Sequence, residues 1–185
     1  HVIPAETVNT IYEVPLRFQK HQLGAMLLER LECKSKKFQL QAWEQGIQKI
    51  KSPKGEIAIG LAGKYNDLDD AYLSIIEAAK SAGFYHHQKV NIIWIDTEKI
   101  EQNDPQTWEE LKSVQGVIVP GGFGNRGIEG KILVAQHCRE TQTPYLGICL
   151  GSQIMAIEFA RNVLGISDAT GEEFDTEKHS QNHVV

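Results

Sequence analysis

The chain has 185 residues, 41% of them hydrophobic and 23% charged, with a formal net charge of −5. That is the make-up of a globular protein with room for one α/β domain and a short extension. It argues against a broad basic field for nucleic acid, and no apolar run approaches the ~20 residues that cross a bilayer. The dense basic cluster Lys34-Ser35-Lys36-Lys37 lies between two helical patterns and reads as a solvated loop. The first residues lack a signal-peptide pattern and an initiator Met, as expected of a segment of a longer chain or a processed product. Cys33, Cys138 and Cys149 form neither a disulfide framework nor a metal-ligand pair, so a reducing cytoplasmic setting is expected.

In chain order, Thr10 to Pro15 reads as a short extended piece stopped by proline. Leu23, Met26, Leu27 and Leu31 share one helix face, and so do Leu40, Trp43, Ile47 and Ile50. The stretch Lys51-Ser52-Pro53-Lys54-Gly55 reads as a linker. Residues 1–54 hold too little apolar material for a core of their own, so they are expected to be the tail of a preceding domain plus a connector.

Downstream the rhythm becomes strand, helix, strand. The apolar run Ile57 to Ala62 reads as a buried strand. A helix follows from about Asp69, with Ala71, Tyr72, Ile75, Ile76 and Ala79 inward and Gly83 as its stop. Val90–Ile95 is a second strand, Trp108–Leu111 belongs to a short helix, and Gly116–Val119 is a third strand. Glu129–Arg139 is helical, Tyr145–Ile148 is a fourth strand, and Gln153–Val163 is a helix ending near Gly165. This alternation predicts an α/β fold, a parallel sheet flanked by helices, with its ligand site beyond the carboxyl ends of the strands.

Two glycine-rich turns fall on that edge. Gly147-Ile148-Cys149-Leu150-Gly151 is the cysteine form of the nucleophile elbow G-x-S-x-G. Its strained strand-to-helix turn thrusts the nucleophile over the sheet edge. The helix N-terminus then offers free N–H groups and a dipole that favour negative charge. Taken alone, Cys149 is equally well read as a small buried apolar residue; Cys33 and Cys138 fit that description better. The second turn, Pro120-Gly121-Gly122-Phe123-Gly124, follows the third strand and is suited to hold an oxyanion on backbone N–H groups. One helix and one strand separate the turns. If the two strands are sheet neighbours, ~5 Å apart, the N–H groups of Gly122 and Leu150 converge on the carbonyl that the sulfur attacks. The combination favours a nucleophile.

These motifs resemble the class I glutamine amidotransferases and, within them, the glutaminase domain of the CTP synthase family. Gly63-Lys64-Tyr65, Arg126-Gly127, Glu129-Gly130, the segment Glu158 to Gly165 and Glu173-Phe174-Asp175 extend the likeness. Ile11-Tyr12-Glu13-Val14-Pro15 is similar to the end of that family's synthetase domain. The resemblance implies a flavodoxin-like fold, here incomplete at its C-terminus, with a short helical N-terminal extension. It divides the chain into residues 1–54, the end of a synthetase domain with its linker, and residues 55–185, the first part of the glutaminase domain. It implies Cys149 as nucleophile, Gly122 and Leu150 as oxyanion donors, and Gly122, Leu150, Gly151, Ser152, Gln153 and Glu173 as glutamine-binding residues. Phe123 and Gly130 fall in segments near the place where the family receives GTP.

For the complete family enzyme the resemblance implies ATP, Mg2+ and allosteric GTP, ammonia transfer to UTP and a homotetramer; within this segment it implies no cofactor or metal. Ser152 stands where the family commonly has Met, and Gly171-Glu172-Glu173-Phe174 replaces Ser-Thr-Glu-Phe. The family's general-base histidine and its orienting glutamate have no counterpart here; none of His1, His21, His86, His87, His137, His179 or His183 sits in that motif. The segment alone is therefore expected to be nearly inactive. Another class I amidotransferase, a DJ-1-like cysteine protein or a non-catalytic module are the alternatives.

Overall fold

The computed structural model describes residues 2–34, 39–64, 69–175 and 180–185. The predicted readings for His1, Ser35-Lys36-Lys37, Tyr65 and His179 lie outside these residues.

Among the described residues four strands form one parallel sheet: β1 (Gly55–Gly63), β2 (Gln88–Asp96), β3 (Gly116–Val119) and β4 (Tyr145–Gly147), in the order β2-β1-β3-β4. This matches the first four positions of the flavodoxin-type order, whose switch point lies between β1 and β3. Alternate residues of the strands, Ala58, Ala62, Ile93, Ile95, Val117, Val119 and Tyr145, meet Ile100, Leu111 and Val134 in the main core. Ile100 comes from α5 (Thr97–Glu101), Leu111 from α6 (Pro105–Ser113) and Val134 from α7 (Ile128–Thr141). A second cluster joins Ile128, Ile132 and Ala135 to Leu150, Ile154 and Ile157 of α8 (Leu150–Asn162).

The two long helices are also clamped by charge. The Arg139 guanidinium of α7 holds the Glu158 carboxylate of α8 by two nitrogens, at 2.9 and 3.0 Å, and Glu158 is only 3% exposed. The Glu158→Ala variant should lower Tm by roughly 5 °C, because it removes the partner from a half-shielded guanidinium. An unchanged Tm in a thermal scan would show that the clamp contributes nothing.

The opposite sheet face is covered by α4 (Leu73–Tyr85), which packs mainly on β2. Beyond it an apolar groove of about 880 Å³ opens over Ile59, Ile118, Leu146 and Ile148, with Leu146 left 55% exposed.

Several boundaries differ from expectation. Thr10 to Pro15 is not extended: a 3-10 turn, Ile11–Glu13, leads into α1 (Val14–Lys20), with Pro15 in its first turn, where the missing N–H costs nothing. The helix predicted from Asp69 opens as a 3-10 turn, Asp69–Tyr72, and Ala71 is exposed. Gly83 does not stop α4; it lies buried inside it, where a Cβ would strike the Val90 side chain and the Gln88 carbonyl. Helix α4 ends instead at Tyr85, with His86 as its cap, ahead of His87 in a left-handed conformation, φ 56°. Cys33 lies beyond α2 (Leu23–Arg30) and is exposed rather than buried.

The leading segment is attached to α4. The Tyr12 hydroxyl donates to Glu77 at 2.9 Å, and its ring meets Phe84 edge-on, with centroids 5.7 Å apart. The Trp43 indole, on α3 (Gln41–Lys51), donates to the Tyr12 carbonyl at 2.8 Å. Ile47 of α3 is buried, whereas α2 buries no residue.

Candidate active site

The ends of β3 and β4 lie level, with Val119 opposite Gly147. The Ile148 N–H donates to the Val119 carbonyl at 2.9 Å, which carries the pairing one residue past β4. The chain then turns sharply. Cys149 adopts φ 53° and ψ −110° and caps α8, whose first residue is Leu150, three earlier than the predicted Gln153. A non-glycine residue at positive φ outside the helical wells is backbone strain of the sort found at functional sites.

The two framing glycines are fixed by contact. A Cβ on Gly147 would overlap the Gly151 carbonyl group, and one on Gly151 would overlap the Val119 carbonyl oxygen. The elbow is therefore pressed against both strand ends. It is held from outside by the Tyr145 hydroxyl, which donates to the Gly151 carbonyl at 2.9 Å. The Cys149 carbonyl accepts from the Ser152 N–H at 3.0 Å, the Ser152 hydroxyl at 2.7 Å and the Gln153 N–H at 3.3 Å. Leu150, as first residue of α8, has no intrahelical partner for its N–H.

The glycine turn after β3 sits beside this elbow. A Cβ on Gly121 would lie 3.4 Å from the Cys149 Cβ and 4.0 Å from its Sγ; one on Gly122 would lie 3.6 Å from a Leu150 methyl. The structure thus brings together Gly122, Cys149, Leu150, Gly151, Ser152 and Gln153. Glu173 comes from a different segment, an exposed turn after α8. That turn is tied towards the glycine turn by Asn125, whose side-chain amide donates to the Phe174 carbonyl at 3.2 Å, and by Phe174 packing on the α7–α8 cluster.

The thiols differ in environment. Cys149 and Cys33 are exposed, whereas burial among apolar side chains pushes the Cys138 thiol up to about 11. Alkylation of the native chain with iodoacetamide should therefore modify Cys33 and Cys149 and spare Cys138, by mass mapping, until denaturant is added. Modification of native Cys138 would contradict the packing.

Gly130 has a structural task. A Cβ there would overlap the Thr97 carbonyl oxygen, so α7 and α5 touch backbone to backbone. Its N–H donates to Glu101 at 2.9 Å.

Three contacts escape a reading of the sequence. Lys131 is 2% exposed, with its Nζ 4.0 Å from where a Gly122 Cβ would stand. Its signal was available, since it falls on the buried stripe Ile128, Ile132, Ala135 of α7. Lys64 donates from Nζ to the Phe123 carbonyl. His183 pairs with Asp175 at 2.9 Å, and Thr170 bridges to His183, closing the last segment onto the loop after α8. Among the described residues no group of three His, Cys, Asp or Glu could hold a metal ion.

Residues 67–185 match the family described as Glutamine amidotransferase class-I. The chain belongs to the class I glutamine amidotransferase family. Relatives of this amidotransferase chain include proteins named CTP synthase. That of Carboxydothermus hydrogenoformans is 47% identical over 94% of the chain and 32% of its own length, and that of Treponema denticola is 45% identical over 100% of the chain and 34% of its own. A solved structure, the glutaminase domain of Trypanosoma brucei CTPS with bound acivicin, matches with a TM-score of 0.62 at 38% identity, over 68% of this chain and 48% of that one. The amidotransferase chain spans about a third of the length of these curated relatives.

Proposed function

We propose that this chain carries the nucleophile half of a glutamine-hydrolysing site belonging to a CTP synthase. The observation that carries the reading is Cys149 at φ 53°, at the N-terminus of α8 and beside Gly121. In this reading the Cys149 sulfur attacks the side-chain carbonyl carbon of L-glutamine. The carbonyl π electrons move onto oxygen, where the N–H groups of Gly122 and Leu150 receive the charge. The intermediate collapses with cleavage of the C–N bond, and the nitrogen takes up a proton as it leaves as ammonia. Water then hydrolyses the thioester, releasing glutamate and restoring the thiol.

Gly151, Ser152 and Gln153 line the approach to the sulfur, and Glu173 receives the substrate's α-ammonium group. The proton transfers belong to a histidine outside this chain, as the family likeness implies. Residues 1–54 are the end of a synthetase domain and its connector, and residues 55–185 begin the glutaminase domain. The complete protein, a cytoplasmic homotetramer in this reading, delivers the ammonia to UTP activated by ATP with Mg2+, under stimulation by GTP near Phe123. The similarity to proteins named CTP synthase over nearly the whole chain, leading segment included, supports this choice over other amidotransferases.

Intact-mass labelling with a glutamine-like chloroketone tests the site on the complete protein. One adduct on Cys149, absent in Cys149→Ser, is expected; an adduct that survives the substitution sinks the assignment. UTP-dependent ATP turnover tests the synthetase half, and its absence points to another amidotransferase.

A further inference from the structure

Lysine is almost never fully buried without a reason, because the desolvated ammonium costs stability unless something compensates. Lys131 is among the most completely buried side chains of this protein, on a helix stripe that otherwise holds Ile128, Ile132 and Ala135. Methionine has a similar reach and would fill the same volume without the charge. The lysine ends at one specific place: its Nζ is 4.0 Å from the Cβ position of Gly122, on the loop that meets Cys149 and Leu150.

A second ammonium flanks the same turn. Lys64, just after β1, donates to the Phe123 carbonyl, and its Nζ lies 4.0 Å from the Cβ position of Gly124. The glycine turn thus has a cation against each of two alternate residues. From Gly121 to Gly124 the turn has no side chain of its own to fix its peptide planes, apart from Phe123, which is exposed.

We propose that Lys131 is a positioning residue of the glutaminase site: its ammonium, seated under Gly122, fixes the peptide planes of the glycine turn and adds positive potential where negative charge develops on the substrate oxygen. The inference rests on the glutaminase reading above. Charge placed in advance in a poorly solvated site acts strongly on the transition state and little on the neutral ground state.

The charged groups facing Lys131 are Lys64 at the end of β1 and Glu101 at the end of α5. On the elements around α7, Glu158 is engaged with Arg139, Arg161 with Glu129, Glu98 with Arg126, and the Tyr145 hydroxyl with Gly151. Burial, then the charge of Lys64, pushes the Lys131 ammonium down to about 8, with Glu101 opposing. The group is therefore mostly charged at neutral pH and loses its proton just above it.

The test uses the complete protein with Lys131→Met and Lys131→Gln. Glutamine hydrolysis should fall about 10- to 100-fold in kcat, with KM within about threefold, since the loss is confined to the transition state. Wild-type kcat should decline as pH rises through about 8, and both variants should lack that limb. A folded variant with wild-type kcat, or with the alkaline limb intact, overturns the proposal. So does a kcat loss matched by a lower unfolding midpoint in both variants, which marks a purely structural lysine. Chloroketone labelling of wild-type Cys149 separates the two levels. If it fails, the glutaminase reading itself falls; if it succeeds while the variants keep wild-type kcat, only the role of Lys131 does.

Discussion

The Cys149→Ser variant of the complete protein should lose glutamine-dependent product formation by at least about 10³-fold, while activity supported by added ammonia stays within about twofold of wild type. Serine differs from cysteine by one atom and occupies the same strained elbow, so the fold has no reason to change. In the proposed reaction it is the nucleophile that disappears, since a hydroxyl is far less ionised near neutral pH than a thiol. Free ammonia bypasses the step. Comparing the two nitrogen donors in one assay therefore separates a chemical defect from a folding defect. Equal losses with both donors would place Cys149 in the structure rather than in the reaction.

The second large effect is on stability. Gly130→Ala should cost about 3 kcal/mol or more in a urea titration, or prevent folding outright, because the new methyl would overlap the Thr97 carbonyl oxygen. Neither side can yield cheaply. Thr97 is fully buried at the start of α5, whose N-terminus is capped by Asp96, accepting from the Glu98 N–H at 2.9 Å. Gly130 in turn is held by its bond to Glu101. Gly46 supplies the contrast: it lies within α3, and a Cβ there meets nothing within 4 Å. Gly46→Ala should stabilise by about 0.5–1 kcal/mol through helix propensity alone. Equal effects from both substitutions would mean that the α5–α7 approach is looser than the structure has it.

The sheet was readable from the residues because its parallel strands are nearly continuous apolar runs, apolar even on the face that the groove leaves open at Leu146. Ile57 to Ala62, Gly116 to Val119 and Tyr145 to Gly147 all appear where such runs end in glycine or proline. The elbow was readable for a related reason: the backbone approaches so closely at Gly147 and Gly151 that only glycine fits, and in the turn after β3 the positive φ of Gly124 leaves a similar mark in the sequence. Local rules misled where a tertiary contact overrode them. Gly83 resembles a helix stop, yet it is there to admit Val90, a residue of the neighbouring strand. Pro15 is compatible with ending an extended piece or beginning a helix, and packing of Tyr12 on α4 selects the second. Lys131 and the His183–Asp175 pair depend on side chains from separate elements. Spacing along the chain gives no measure of such distances.

The tie between Trp43 and Tyr12 makes the leading segment observable on its own. Trp43 is 41% exposed, and its indole N–H is bound to the carbonyl of Tyr12, the residue whose side chain docks on Glu77 and Phe84 of α4. The other two tryptophans sit in the domain body, Trp94 beside Tyr72 and Trp108 beside His137. With those two replaced by phenylalanine, fluorescence emission becomes a single-site reporter of that joint. Release of the first fifty residues from α4 can then be followed separately from melting of the sheet, as a local opening with its own free energy.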